Sequence, residues 1–136
     1  MLNRKYFLIV DDDADDREFF KEAVTQLNSS VIVKEAEDGE VALTLLAEDR
    51  DHLPDYIFLD LNMPRKDGRA VLKALKDDPE FRKIPVFILS TSSDPKDKED
   101  ARLLGANSFI TKPYQLKEWN IKIQSVLVSE GSEINA

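Results

Sequence analysis

The chain is predicted to fold as a three-layer α/β domain, a doubly wound (βα)5 structure with a parallel sheet covered by helices on both faces. Two observations predict this class. Short continuous apolar runs, typical of buried parallel strands, alternate five times with stretches whose apolar residues recur at helical spacing. The length of 136 residues also fits one domain and leaves no room for a second of ordinary size. Repeated strand–helix units require right-handed crossovers, which make the strands parallel.

The apolar pattern assigns each element in order. Strands are predicted at residues 6–10, 31–33, 56–61, 86–89 and 108–111, of which the second and fifth are the weaker runs. Helices are predicted from apolar residues that recur at helical spacing. In chain order, these residues are Phe20, Val24 and Leu27; Val41, Leu45 and Leu46; Val71, Leu72 and Leu75; Ala101 and Leu104; and Leu116, Trp119, Ile123 and Leu127.

Local stop and start signals agree with this order. Asp94 followed by Pro95 indicates a helix start, and Gly105 directly after Leu104 indicates its end. Residues 129–136 are mostly polar and contain a glycine, which is typical of a terminal tail. We therefore expect a single domain at 1–128 and a flexible C-terminal tail at 129–136.

Composition and charge exclude several classes of function. The net charge of −8 opposes binding to nucleic-acid phosphates, so we expect no direct nucleic-acid binding. The apolar run at 6–10 is far shorter than the ~20 residues of a membrane span and lacks a signal-peptide pattern, which predicts a cytoplasmic protein without a membrane partner. Zero cysteines exclude disulfides and cysteine metal sites. A protein or small-ligand partner fits this composition better than a nucleic acid or a membrane does.

Polar residues follow the predicted strands at the edge where ligands bind in open α/β sheets. In strand order, they are Asp11, Asp12 and Asp13, then Asp60, then Ser90, then Lys112. Several carboxylates at one edge would repel each other unless a cation neutralised them, which predicts a hard divalent ion. Mg²⁺ is the natural choice, because it prefers carboxylate and phosphate oxygens.

Asp60 has two interpretations from the residues alone. It lies between two leucines at the end of an apolar strand, where an unpaired carboxylate is costly. It is either a structural carboxylate paired with Lys112 or a nucleophile that forms an aspartyl phosphate beside a metal and a lysine. Spacing alone does not separate these two interpretations. His52, the single histidine, is predicted to be a solvated loop residue and not a ligand.

Taken together, the residues at these strand ends form a set that resembles a known family. The set consists of Val10-Asp11-Asp12, Asp60, Asn62-Met63-Pro64 with Gly68, Ser90, Phe109 and Lys112-Pro113. It resembles the receiver domain of two-component response regulators, over residues from about Lys5 to Leu127. The connection before strand four is similar to that of single-domain regulators that pair with phytochrome-type histidine kinases.

The resemblance implies a fold and a metal site. The family's strand order is 2-1-3-4-5, which places strands one and three side by side. Asp12 would then ligate Mg²⁺ directly and Asp11 through water, with Asp60 and the backbone carbonyl of Asn62 as the other protein ligands. Pro113 would follow a cis peptide bond. Asp13 is expected to cap the following helix, and residues 15–18 are expected to form its solvated first turn.

The resemblance also implies a signalling function. Asp60 would be the phosphoacceptor, Lys112 and Ser90 would bind the phosphoryl group, and Phe109 would be the switch aromatic, here without the more familiar tyrosine hydroxyl. The phosphoryl group would come from a histidine kinase or phosphotransfer protein. The domain would stand alone, signal to a partner protein by conformational switching, and catalyse only its own phosphorylation and dephosphorylation.

Two rival functions follow from the same fold. A pseudo-receiver would signal by constitutive contacts and would have lost site residues, yet Asp11, Asp60 and Lys112 are all present. A haloacid-dehalogenase-like phosphatase would also use an aspartyl phosphate, but that family has a second acid two residues after the nucleophile. Asn62 stands at that position here, and Asp60 lies on the third strand and not on the first.

Overall fold

The computed structural model describes residues 5–63 and 67–129. In this part of the chain, strands and helices alternate as predicted. The elements are β1 (Tyr6–Val10), α1 (Ala14–Leu27), β2 (Ile32–Ala36), α2 (Gly39–Glu48), β3 (Tyr56–Asp60), α3 (Gly68–Asp77), a 3-10 turn (Phe81–Lys83), β4 (Val86–Ser90), α4 (Pro95–Leu103), β5 (Ser108–Thr111) and α5 (Leu116–Ser129). Within these residues no helix is both long and apolar enough to cross a membrane.

The strands form one parallel sheet in the order β2-β1-β3-β4-β5. This confirms the α/β fold class and the strand order that the resemblance implied. Val10 at the end of β1 pairs with Leu59 of β3, so the ends of these two central strands lie side by side. The chain leaves β1 toward one side of the sheet and β3 toward the other, which opens a crevice at this edge.

Two hydrophobic cores lie on opposite faces of the sheet, because alternate strand residues point to opposite sides. Leu8 and Leu59 point to the face covered by α2, α3 and α4. Phe7 and Phe58 point to the face covered by α1 and α5, where Trp119 of α5 is buried. The stripe predicted for the last helix is confirmed as core. Its helix ends at Ser129, and the remainder of the predicted 129–136 tail lies outside the described residues.

The edge strand β2 differs from its predicted bounds. It begins at Ile32 and continues to Ala36, whereas the apolar run predicted 31–33. Lys34 and Glu35 are exposed, because an edge strand has few neighbours and needs no continuous apolar sequence. The start of α4 is as predicted: the Asp94 side chain accepts a hydrogen bond from the Lys96 amide. Gly105, with φ +102°, follows the helix in the left-handed region that favours glycine.

Candidate functional site

Three aspartates meet at the carboxyl edge of the central strands. Asp11 follows β1 and Asp60 ends β3, and each offers a carboxylate oxygen within 4.8 Å of the other and of one from Asp12. Asp11 and Asp60 are buried, and Asp12 is exposed. The predicted convergence of these side chains is therefore confirmed as geometry.

Backbone contacts hold Asp60 in place. The Leu61 amide donates to the Leu89 carbonyl at 3.0 Å, which extends the pairing of β3 with β4 past Asp60. The Asn62 amide donates to Asp60 Oδ1 at 3.3 Å. A Cβ placed on Gly68 would lie 2.3 Å from the Asp60 carbonyl oxygen, so a side chain at Gly68 is excluded. Pro64, which belongs to the set of residues that resembles the receiver family, lies outside the described residues.

Lys112 brings a cation to the three aspartates. Its Nζ lies 2.8 Å from Asp11 Oδ2 and 3.6 Å from Asp60 Oδ2, and its side chain is 8% exposed. The Lys112 amide donates to the Ser90 carbonyl at 2.6 Å, which ties the end of β5 to the end of β4. Ser90 is buried, and its hydroxyl accepts a hydrogen bond from the Ser92 amide at 3.1 Å.

The electrostatics of the cluster favour proton or cation binding. Burial, together with the nearby charge of Asp11, raises the pKa of Asp60 to about 7. Burial also raises the pKa of Asp11, despite the neighbouring Lys112. Burial of Lys112 disfavours its charged form, but contacts with Asp11 and Asp16 outweigh this and raise the Lys112 pKa above its usual value. The negative charge at this edge is therefore only partly neutralised.

The donor set fits a hard divalent cation. Asp11 Oδ2 is buried, and the Lys112 ammonium that lies 2.8 Å from it also pairs with Asp16 and Asp60, so a single cation is shared among three carboxylates. Carboxylate oxygens that stand close together and are only partly neutralised are the ligands that Mg²⁺ prefers. In the described part of the chain, the carboxylates of Asp11, Asp12 and Asp60 can provide them.

The prediction that residues 15–18 form a solvated first turn is wrong for two of them, Asp16 and Arg17. Asp16 Oδ2 accepts a hydrogen bond from Lys112 Nζ at 2.8 Å, and Arg17 Nη1 donates to the Asp11 carbonyl at 2.7 Å. The sequence held a signal for Asp16, because it precedes buried Phe20 by one helical turn and so shares its face. Arg17 has the same signal, because it precedes Phe20 by three residues, but its partners, the Asp11 carbonyl and the Glu35 carboxylate, become neighbours only in the fold.

Other predicted residues lie near the cluster or outside it. Asp13 caps α1 as expected, accepting from the amides of Asp15 and Asp16. Phe109 lies on β5 away from the aspartates, with Lys98 Nζ of α4 at 5.9 Å from its ring centre. His52 is exposed and pairs with Asp49, as expected for a loop residue.

The resemblance implied a cis peptide bond before Pro113, and this prediction is wrong for this structure. No cis bond occurs among the described residues, so this peptide bond is trans. The trans form is the favoured one before proline, by about 0.5–1 kcal/mol.

The chain is similar to several curated proteins. It is 33% identical to the response regulator Rcp1 of Synechocystis over 129 residues, which cover 90% of this chain and 86% of that protein. It is 34% identical to a probable chemotaxis protein CheY of Rhizobium etli, over 88% of this chain and 89% of that protein. Other relatives are longer: the chain spans about half the length, 49%, of the probable transcriptional regulator ycf27 of Porphyridium aerugineum, at 33% identity over 93% of this chain.

Solved structures give the same result. The structure of the phosphorylated cyanobacterial phytochrome response regulator RcpA has a TM-score of 0.83 at 32% identity, covering 92% of each chain. The Mn²⁺-bound form of Rcp1 has a TM-score of 0.78 at 32% identity, covering 90% of this chain and 91% of that one. The model of the response regulator receiver domain matches residues 7–124. This chain therefore belongs to the response regulator receiver domain family, whose members are phosphoacceptor signalling domains and not classical enzymes.

Proposed function

We propose that this chain is a single-domain response regulator in which Asp60 accepts a phosphoryl group in a Mg²⁺-dependent reaction. The observation that carries the proposal is the partly neutralised cluster of Asp11, Asp12 and Asp60 beside Lys112, at the switch point of a receiver fold. A cluster of this kind gains stability when a cation brings positive charge to it, and the bound cation together with Lys112 can then offset the negative charge of an incoming phosphoryl group.

The donor would be a phosphohistidine on a histidine kinase or a phosphotransfer protein. An Oδ atom of Asp60 attacks phosphorus, the new P–O bond forms as the P–N bond to the imidazole breaks, and the imidazole leaves with the electron pair. Lys112 and the Ser90 hydroxyl donate hydrogen bonds to the phosphoryl oxygens. Mg²⁺, held by Asp11, Asp12, Asp60 and the Asn62 carbonyl, would offset the phosphoryl charge when bound.

Phosphorylation of purified protein tests the proposal. Wild type and Asp60→Asn are incubated with acetyl phosphate and Mg²⁺, and the intact mass is measured. We expect wild type to gain one phosphoryl group that hydroxylamine removes, and Asp60→Asn to gain none. Asp78→Asn, which removes an aspartate far from the cluster, serves as the control and should react like wild type. A variant at Asp60 that gains the same mass contradicts the assignment.

We propose further that the signal leaves through Phe109. Ser90 and Phe109 point to the same face of the sheet, because Ile88 pairs with Phe109 and Ser90 lies two residues beyond Ile88. Phe109 also lines a cavity of about 190 Å³ between α4 and β5, next to Ala101. When Ser90 is drawn toward the phosphoryl group, the ring has room to move and to change the outer surface that a downstream protein contacts.

Amide chemical shifts with and without beryllofluoride, a phosphoryl mimic, test this switch. We expect changes from Ser90 through β5 to Trp119, with little change at the far end of α1. Changes confined to the neighbours of Asp60, with Phe109 unaffected, contradict it.

The domain bounds 1–128, the tail at 129–136 and a cytoplasmic location stay predictions.

A further inference from the structure

One contact at the cluster involves a residue that the family resemblance does not assign. Asp16, in the first turn of α1, accepts a hydrogen bond from Lys112 Nζ at 2.8 Å. The same ammonium lies 3.6 Å from Asp60 Oδ2. The Asp16 side chain is 24% exposed, so the contact is partly shielded from water. Lys112 is thus held closer to α1 than to the carboxylate that it is expected to assist.

Both ends of this ion pair are anchored by backbone contacts. The Asp16 amide donates to the capping side chain of Asp13 at 3.3 Å, and buried Phe20 holds the next turn of α1 against the sheet. On the other side, the Lys112 amide donates to the Ser90 carbonyl. The carboxylate belongs to a packed helix and the ammonium to a strand end, so the pair is a fixed feature of the fold and not a chance surface contact.

A phosphoryl group on Asp60 would compete with Asp16 for the Lys112 ammonium. The group adds negative charge and acceptor oxygens next to Asp60, and Nζ must approach them to donate. We propose that Asp16 is a positioning residue that holds Lys112 in a resting position and lowers the affinity of the site for a phosphoryl group. This inference rests on the proposed function of Asp60.

The chain offers a matched pair of variants. Asp16→Asn keeps the shape of the side chain and removes its charge. Asp15→Asn makes the same change in the same helical turn, so it alters the charge near the helix N-terminus equally, but the Asp15 side chain is exposed. A difference between these two variants therefore reports the contact with Lys112 and not the general charge of α1.

Beryllofluoride binding in the presence of Mg²⁺, followed by calorimetry, is the first measurement. We expect Asp16→Asn to bind about fivefold more tightly than wild type, equivalent to about 1 kcal/mol, because Lys112 no longer has to leave the Asp16 carboxylate, although it still pairs with Asp11. Asp15→Asn should stay within about twofold of wild type, less than about 0.5 kcal/mol. Asp16→Ser provides a second neutral variant if Asp16→Asn does not fold.

The second measurement needs neither metal nor phosphoryl mimic. The ¹⁵N signal of the Lys112 ammonium should move in Asp16→Asn and stay in place in Asp15→Asn, because of these two aspartates Asp16 accepts a hydrogen bond from Nζ, whereas the Asp15 side chain is exposed. An indirect effect through the helix would move the signal in both variants.

The outcomes separate the two proposals. Equal or weaker beryllofluoride binding by Asp16→Asn, or an unmoved Lys112 signal, overturns the role of Asp16. If wild type binds no beryllofluoride and Asp60 gains no phosphoryl group, the proposed function itself fails, even where the Lys112 signal responds to Asp16→Asn. Tighter binding together with a shifted signal in Asp16→Asn alone supports the role.

Discussion

The two edges of the sheet each carry a cluster of charged side chains, and the clusters differ in burial and in charge balance. At the carboxyl edge, buried Asp11 and Asp60 share Lys112, and burial raises the pKa of Asp60 to about 7. At the amino edge, Arg50 donates to Asp78 and Glu80 near the surface. There the hydrogen bond with Arg50 lowers the pKa of Asp78 to about 2.

The same residue type therefore has opposite properties at the two edges. Asp78 also accepts hydrogen bonds from the amides of Glu80 and Phe81, and the Arg50 guanidinium stacks 4.4 Å from the Phe81 ring centre. These contacts satisfy its carboxylate and fasten the connection before β4. The Asp60 carboxylate instead shares the Lys112 ammonium with Asp11, so its negative charge is only partly neutralised. Well-paired carboxylates stabilise a fold, whereas crowded and buried ones mark a binding site.

The largest expected effect of a single substitution is at the glycine of the carboxyl edge. Gly68→Ala should lower the free energy of unfolding by about 3 kcal/mol, because the new Cβ meets backbone atoms that cannot move independently. Gly105→Ala, near the amino edge, should cost about 1–2 kcal/mol, since only its positive φ and the flexible Lys76 side chain oppose it. Urea denaturation measures both. Equal losses would show that the backbone beside Asp60 can shift.

Neutralising the two contrasted aspartates should have opposite effects on stability. Asp60→Asn should raise the free energy of unfolding of the metal-free protein at pH 7 by about 1–3 kcal/mol, because it relieves repulsion among buried carboxylates. Mg²⁺ should stabilise wild type and not this variant. Asp78→Asn should instead lower the urea midpoint, because Arg50 loses one of its two carboxylate partners. Destabilisation of both variants in metal-free protein contradicts the contrast.

Neighbouring exposed aspartates of the carboxyl edge should separate into two roles. Asp13→Ala should lower the free energy of unfolding by about 1 kcal/mol through loss of the α1 cap, and should leave Mg²⁺ affinity nearly unchanged. Asp12→Ala should weaken Mg²⁺ binding strongly with little effect on stability. Calorimetry and thermal unfolding measure the two quantities. Equal losses of Mg²⁺ affinity in both variants would refute this division.

The two edges should also differ in pH dependence. The raised pKa of Asp60 means that the folded state binds this proton more tightly than the unfolded chain, so its contribution to stability declines as pH rises from about 4 to 7. The lowered pKa of Asp78 gives the reverse: its contribution is present above about 4 and is lost as pH falls toward 2. Carboxyl ¹³C titration of metal-free protein measures both midpoints. Similar midpoints would contradict the contrast.

Much of the site could be predicted from the sequence. Asp11, Asp60 and Lys112 each follow an apolar run, and parallel strands bring such ends to one edge regardless of distance along the chain. The cap at Asp13 was also predictable, since capping depends on neighbouring residues. The cis bond before Pro113 was not, because the resemblance carried it over from the family and the structure has a trans bond.

The sequence by itself determined the fold class, the buried strands and the acidic edge, because these depend on local periodicity and on residue type at strand ends. Only the tertiary structure decided which charges meet. Asp11, Asp60 and Lys112 extend the alternation of residues facing α1, and Asp16 enters the cluster because α1 packs on that face. A salt bridge between residues 16 and 112 depends on helix placement over the sheet to within an ångström or so. Periodicity identifies the face of a helix but not the depth at which it packs.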